Sequence, residues 1–189
     1  DSNFDGLKKA YANGTELRGK TLGIVGIGRI GQATAKMALG LGMKVIAADM
    51  FIPQVDVKVE FFDGQSITTT IVSQSLESLF EEADFITLHV PAQDGYIIGA
   101  SELATMKDGV GIVNCARGGV IDEIALIEAL DSGKVAFAGL DVFESEPKPE
   151  LKILMHPKIS LTPHIGAATD EAQDRIGTEL AQQIISILG

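Results

Sequence analysis

Residues 22–31 read Leu-Gly-Ile-Val-Gly-Ile-Gly-Arg-Ile-Gly, and residues 44–49 read Lys-Val-Ile-Ala-Ala-Asp. The first stretch sets Gly26, Gly28 and Gly31 in a G-x-G-x-x-G turn between an apolar strand and a helical segment. Asp49 closes a second apolar strand 18 residues after Gly31. Glycine-rich turns are common by themselves. With a strand before, a helix after and an acid about twenty residues on, the turn becomes a dinucleotide fingerprint.

Each position has a physical reason. Gly26 permits the tight turn out of the strand, where a side chain would clash. Gly28 lets the backbone approach a pyrophosphate, and Gly31 lets the helix pack closely on the sheet. The free N–H groups around Arg29 and Ile30 open the helix and present partial positive charge to an anion. Ile30, Ala33, Thr34, Met37, Ala38 and Leu41 follow the 3.6-residue period and define one apolar face. Gly42 ends the helix. Asp49 can accept hydrogen bonds from adenine-ribose hydroxyls and would repel a 2′-phosphate. Met50 and Phe51 follow it, with no arginine to receive such a phosphate, so NAD is expected over NADP.

The bulk properties narrow the class. A chain of 189 residues with 46% hydrophobic content fits one well-cored α/β domain. No apolar run approaches the length of a membrane span, and no secretory signal opens the chain. The single Cys115 cannot form an internal disulfide, which suits a reducing, cytoplasmic setting. A net charge of −11 argues against nucleic acid as a partner. An anionic substrate would need local cations against that field. The chain opens on Asp1 and a short polar helix candidate, Asn3–Gly14, and reads like a piece of a longer protein.

From Thr21 onward apolar strands alternate with helical patterns. Strands are predicted at Thr21–Val25, Lys44–Ala48, Phe85–His89, Gly111–Asn114, Ala136–Asp141 and Ile159–Thr162. Helices are predicted at Ile30–Leu41, Leu76–Glu82, Ser101–Met106, Glu123–Ser132 and Ala168–Leu188. This order predicts an α/β fold: a doubly wound parallel sheet of Rossmann type, covered on both faces. Val57–Val72 departs from the rhythm and reads as an inserted β-ribbon, turning at Asp63-Gly64 in a type I′ turn. It is expected to be a solvated decoration.

Three segments carry polar groups past strand ends, where open α/β sheets place their ligands. Val113-Asn-Cys-Ala-Arg-Gly-Gly delivers Arg117 into a glycine-loosened turn. Leu140-Asp-Val-Phe-Glu-Ser-Glu-Pro holds Asp141, Glu144 and Glu146. Leu161-Thr-Pro-His-Ile-Gly-Ala-Ala-Thr places His164 before the last helix.

These blocks resemble the NAD-dependent D-isomer-specific 2-hydroxyacid dehydrogenases, and the resemblance runs from Leu17-Arg-Gly-Lys-Thr-Leu-Gly to the last helix. It implies a catalytic set of Arg117 for the substrate carboxylate, His164 as acid–base and Glu146 as its acidic partner. It also implies cofactor contacts at Arg29, Ile30, Asp49, Cys115, Ala116, Asp141 and the stretch from His164 through Gly166 to Ala167. His89, Val90 and Pro91 would line the same cleft. Arg117 and His164 would then lie beside the cofactor as well. No metal is implied, because the nicotinamide takes the hydride.

The implied substrate is a small anionic 2-hydroxy acid or 2-keto acid. The matches at Asn114-Cys-Ala-Arg-Gly-Gly-Val-Ile-Asp-Glu and Glu171-Ala-Gln-Asp-Arg-Ile-Gly lean toward 3-phosphoglycerate and serine biosynthesis. Glycerate, lactate and formate are the alternatives, and an NADH-sensing corepressor of the same fold is a rival of another class. The resemblance further implies that residues 1–189 are the dinucleotide-binding domain, that the substrate domain is absent from this chain, and that a homodimer forms through the cofactor domain.

The chemistry needs these residue types. An imidazole that titrates near neutrality can take the hydroxyl proton and return it in the reverse direction. A carboxylate at Glu146 would orient the ring and favour its protonated form. The planar fork of Arg117 can hold a carboxylate and polarise a carbonyl. Blander readings stand beside these. His89 can equally be a satisfied strand-end histidine, His156 a solvated loop residue, Cys115 a small buried hydrophobe and Glu144 an exposed acid. Helix Glu123–Ser132 needs no role beyond packing.

Overall fold

The computed structural model describes residues 3–10, 12 and 14–188. In chain order the elements begin α1 (Phe4–Ala10), β1 (Thr21–Val25), α2 (Arg29–Gly40), β2 (Lys44–Ala48), β3 (Gln54–Glu60), β4 (Ser66–Val72) and α3 (Leu76–Glu82). They continue with β5 (Phe85–Leu88), α4 (Ala100–Thr105), β6 (Val110–Asn114), α5 (Glu123–Ser132) and β7 (Val135–Leu140). The last are α6 (Leu151–Leu154), β8 (Ile159–Leu161) and α7 (Asp170–Leu188). The expected main-sheet strands and the helices between and after them form with ends that match or shift by one or two residues. The ribbon begins at Gln54, three residues before its expected start. The opening helix is Phe4–Ala10; positions 11 and 13 of its expected span lie outside the described residues. The four-residue α6 was not legible from periodicity.

Six strands make one parallel sheet in the order β2-β1-β5-β6-β7-β8. The order steps outward from β1 in both directions, so the carboxyl ends of β1 and β5 flank a crevice at the reversal point. Strand β1 shows how the two faces are built. Gly23 faces α3, where an added Cβ would lie 2.7 Å from Leu79 Cδ2. Ile24 faces the other way, into a cluster with Ile27, Ala35 and Ala47. Helix α5 packs on β7, and the opposite face of that strand leaves Phe137 42% exposed against Phe85, ring centroids 6.0 Å apart.

Helix α2 turns inward a face that shares only Ala38 with the apolar stripe in its sequence. Its buried residues are Gly31, Ala35 and Ala38, while Ile30, Met37 and Leu41 are 70%, 64% and 55% exposed. The reason is steric. A helix that starts directly from the strand's end lies close to the sheet, and only small side chains fit between. Gly42 does end the helix with φ +77.

The ribbon is a hairpin, β3 paired antiparallel with β4 from Gln54↔Val72 to Glu60↔Ser66. It is more than a decoration. Val57 and Ile71 are 1% and 4% exposed and close the cluster beneath α2, contributing roughly 1.5–3 kcal/mol each by burial. Its turn also differs from expectation. Gly64 N–H donates to Phe61 O (3.0 Å), Phe61 N–H donates to Gln65 O (2.8 Å), and only Gly64 takes positive φ. This is a three-residue loop, a type I turn with a glycine bulge, because Asp63 keeps negative φ and a type I′ turn needs two positive values. Among the described residues no helix is long and apolar enough to cross a membrane.

Candidate functional site

The three glycines divide their work as steric arguments require. Gly26 has φ +90, and a Cβ there would lie 2.5 Å from His89 O. A Cβ on Gly31 would lie 2.2 Å from Gly26 O, so the first turn of α2 can touch the loop only if that residue has no side chain. At Gly28 an added Cβ meets nothing within 4 Å. Its outer side is therefore an open cradle at a helix N-terminus with no side-chain cap. That fits a pyrophosphate.

Asp49 braces the same turn from β2. Its Oδ2 accepts from Ile27 N (2.9 Å), and its Oδ1 accepts from Phe51 N (2.8 Å) and Ile52 N (3.0 Å). A carboxylate has about four acceptor sites, so capacity remains for a ribose hydroxyl. The cradle opens on a cleft of about 440 Å³ lined by Gly28, Arg29, Ile30 and His89, with Arg175 and Glu179 of α7 on its far wall. The His89 ring lies 3.2 Å from Thr87 Oγ1, and burial lowers its pKa, so a neutral imidazole faces the cleft. Val90 touches the space beside Gly26, and Pro91 is exposed.

His164 and Glu146 come together farther along the same carboxyl edge of the sheet, on the loops after β7 and β8. His164 Nδ1 lies 2.8 Å from Glu146 Oε2. An ionised carboxylate only accepts, so Nδ1 carries the proton and Nε2 is the nitrogen left free for a substrate. Glu146 is held below the usual carboxylate range first by its bond with His164 and then by the N–H of Phe143, which donates to Oε1 at 3.0 Å. The Glu146–Pro147 peptide is cis. Beside the pair is a largely apolar hollow of about 410 Å³, with Phe143, Leu154 and Leu161 among its walls.

His164 sits in the left-handed region at φ +56, where a side chain is strained by roughly 1–3 kcal/mol. Asp141, 2% exposed, holds it there. Its Oδ1 accepts from Thr162 Oγ1 (2.6 Å) and Ile165 N (2.8 Å), and its Oδ2 accepts from Gly166 N (2.7 Å). The residues on both sides of His164 are therefore tied to one carboxylate. A Cβ at Gly166 would lie 2.9 Å from Asp141 Oδ2, so the loop closes this tightly only with glycine. Burial alone would raise the Asp141 pKa, but these three donors and the nearby His164 bring it below the ordinary aspartate value.

Arg117 lies on the turn after β6. Asn114, 3% exposed, shapes that turn by donating to Arg117 O (2.9 Å) and accepting from Ala116 N (3.0 Å). The Arg117 guanidinium is exposed, donates to Ala116 O, and does not line the hollow beside His164. Ala116 is buried, whereas Ala167 is exposed. Cys115 is exposed at the sheet's carboxyl edge rather than buried, and its pKa is raised by partial burial and by the Asp141 charge. His156 is also unlike its expected solvated state. Its side chain is 8% exposed, lies 3.3 Å from Asp131 and accepts from Lys158 N.

Two contributions were invisible in the sequence. Glu144 and Glu123 exchange bonds: Glu123 N donates to Glu144 Oε1 (3.0 Å) and Glu144 N donates to Glu123 Oε1 (2.8 Å). This pair joins the start of α5 to the loop bearing Glu146, so both residues do more than the exposed-acid and packing readings allow. The second is α7, whose stripe Ala172, Arg175, Ile176 and Glu179 faces the glycine turn. Helical spacing groups those residues, but no spacing says what they face.

An open parallel sheet with this cradle, this acid after β2 and ligand-facing loops at its carboxyl edge is a dinucleotide-binding domain. Residues 2–166 match the family described as D-isomer specific 2-hydroxyacid dehydrogenase, NAD binding domain. The chain belongs to that family. It is 50% identical over 187 residues to a hydroxypyruvate reductase of Thermotoga maritima, covering 96% of this chain and 57% of the relative. It is 46% identical over 177 residues to a D-3-phosphoglycerate dehydrogenase of Methanocaldococcus jannaschii, covering 93% and 32%. A crystal structure of D-lactate dehydrogenase from Aquifex aeolicus, complexed with NAD and lactic acid, superposes with TM-score 0.73 at 33% identity over 97% of this chain and 60% of that one. The chain thus spans about a third to three-fifths of the length of these proteins.

Proposed function

We propose that this chain is the cofactor half of an enzyme that moves a hydride between NAD and C2 of a small D-2-hydroxy acid. The observation that carries the reading is the His164–Glu146 pair at 2.8 Å, held on the same sheet edge as the glycine cradle. Bound NAD supplies the hydride acceptor. His164 Nε2 takes the proton from the C2 hydroxyl as the carbonyl forms, and Glu146 stabilises the imidazolium. In the reverse direction the same nitrogen returns the proton. Arg117 turns from Ala116 O to grip the substrate carboxylate bidentately. The remaining acceptor site on Asp141 suits the carboxamide of the nicotinamide.

The substrate pair we favour is D-glycerate and hydroxypyruvate. It is supported by the 50% identity to a hydroxypyruvate reductase. 3-Phosphoglycerate, toward which the Asn114 and Glu171 blocks lean, is the second reading and rests on the 46% relative. A homodimer is supported by the exposed stripe of Ala33 and Met37 on α2 and Leu41 at its C-cap, which a second copy would cover. The single cysteine supports a cytoplasmic setting.

The test is NADH oxidation by the full-length protein with hydroxypyruvate and with 3-phosphohydroxypyruvate. A kcat/KM at least tenfold higher for hydroxypyruvate supports the first reading, and the opposite preference supports the second. No turnover with any 2-keto acid, together with a subunit mass that changes on adding NADH, would point instead to an NADH-sensing protein.

A further inference from the structure

Helix α7 is anchored in an unusual way. It is 19 residues long and has no buried residue. Beyond its first turn, the bonds that join it to the rest of the described residues are the two of one ion pair. Arg29 Nη2 and Nη1 donate to Glu179 Oε1 (2.6 Å) and Oε2 (3.1 Å). Arg29 is the first residue of α2, directly after the Gly28 cradle.

The stripe that α7 presents to the cleft carries a second cation, Arg175, one helical turn before Glu179. The cleft wall therefore holds two guanidiniums and one carboxylate in a chain whose net charge is −11. A pyrophosphate brings two negative charges to this spot. Backbone N–H groups at the start of α2 are neutral donors, so cations beside them would strengthen anion binding against the field of such an acidic protein. The Arg29 fork is closed on a carboxylate of the same shape as a phosphate edge and serves a phosphate only when that pair exchanges.

Resting on the reading of this cleft as the NAD site, we propose that Arg175 is a ligand of the cofactor pyrophosphate and that Glu179 is an internal competitor for Arg29. The dinucleotide takes the Arg29 fork from Glu179, and Arg175 offsets the like charge that Glu179 leaves in the cleft. The exchange is feasible because the pair is a surface one, with side chains 84% and 46% exposed, and such pairs are weak. The Arg29 bond, followed by the Arg29 and Arg175 charges, holds the Glu179 carboxyl below its usual range, so the competitor is ionised at neutral pH.

The test is equilibrium binding of NADH, ADP-ribose and adenosine to the full-length protein, read by fluorescence and calorimetry. Arg175→Ala should raise the Kd for NADH and ADP-ribose about three- to tenfold and leave adenosine unchanged. Arg175→Lys should recover part of the loss, because charge is kept and the fork is not. Glu179→Gln should lower the Kd for NADH about two- to fivefold and make it less salt-dependent. Kd values within twofold of wild type for both Arg175→Ala and Glu179→Gln would overturn the proposal. Weaker NADH binding in Glu179→Gln would overturn the competitor role, since Glu179 would then be holding α7 in place. A wild-type protein with no affinity for NADH would overturn the reading of the cleft itself.

Discussion

The carboxylate of Asp141 and the backbone N–H of Ile165 are 2.8 Å apart, which fixes the residue after His164 to the end of β7. Thr162 is bound to the same oxygen at 2.6 Å. His164 is thus clamped from both sides in a backbone conformation it would not otherwise keep. The geometry of His164 is set from beneath the loop, by Asp141.

Replacing His164 with Ala in the full-length enzyme should reduce kcat by roughly 10²–10⁴ while NADH affinity stays within about twofold. Stopped-flow measurement of NADH consumption separates hydride transfer from binding. Turnover near that of wild type would end the acid–base assignment.

Asp141→Asn should lower stability at pH 7 by about 1–3 kcal/mol, because one of its oxygens becomes an amide that cannot accept. The sign of the pH effect follows from the folded carboxyl lying below its ordinary value of 3.8. As pH falls through that value the unfolded state protonates first, so the stability Asp141 contributes is present above it and lost as pH drops through the folded value. The variant should show a shallower loss of stability below about pH 4. Urea unfolding midpoints between pH 3 and 7 check this. Parallel curves for the two proteins across that range would refute it.

Gly28→Ala and Gly31→Ala make a matched pair. The first adds a methyl to open space and should leave the melting temperature within a few degrees while weakening NADH about tenfold or more. The second drives a methyl to 2.2 Å from Gly26 O and should destabilise the domain by about 1–3 kcal/mol or more. Equal stability losses in both variants would contradict the division of labour between these glycines.

Asp49→Ala should narrow the preference for NADH over NADPH at least tenfold in Kd ratio, with most of the change from lost NADH affinity. It should also cost stability, since Ile27, Phe51 and Ile52 lose their acceptor. An unchanged ratio would remove Asp49 from cofactor selection.

Val57→Ala in the ribbon should cost about 1–3 kcal/mol, against near zero for Thr68→Ala on the same hairpin. Val57 is buried beneath α2, whereas Thr68 is exposed on the outward face opposite Lys58. Equal small effects would return the ribbon to a solvated decoration.

Local order along the chain was enough for the strand–turn–helix at Gly26–Gly31, for Asp49 closing β2, and for every strand of the main sheet. These features depend on residue spacing and backbone sterics within about thirty residues, and spacing is what a sequence displays. Arg117, Glu146 and His164 each lie on a segment that leaves a strand end, but they were singled out as a set by the family resemblance and not by spacing. What folding alone decided lies between segments far apart in the chain. The inward face of α2 was set by how closely the helix meets the sheet, which reversed the role of Ile30, Met37 and Leu41. The Glu123–Glu144 exchange, the Asp141 clamp on His164, and α7 over the glycine turn each join groups separated by 21 to 150 residues. Periodicity groups side chains on one element but carries no information about the element opposite, and in those contacts the site is positioned.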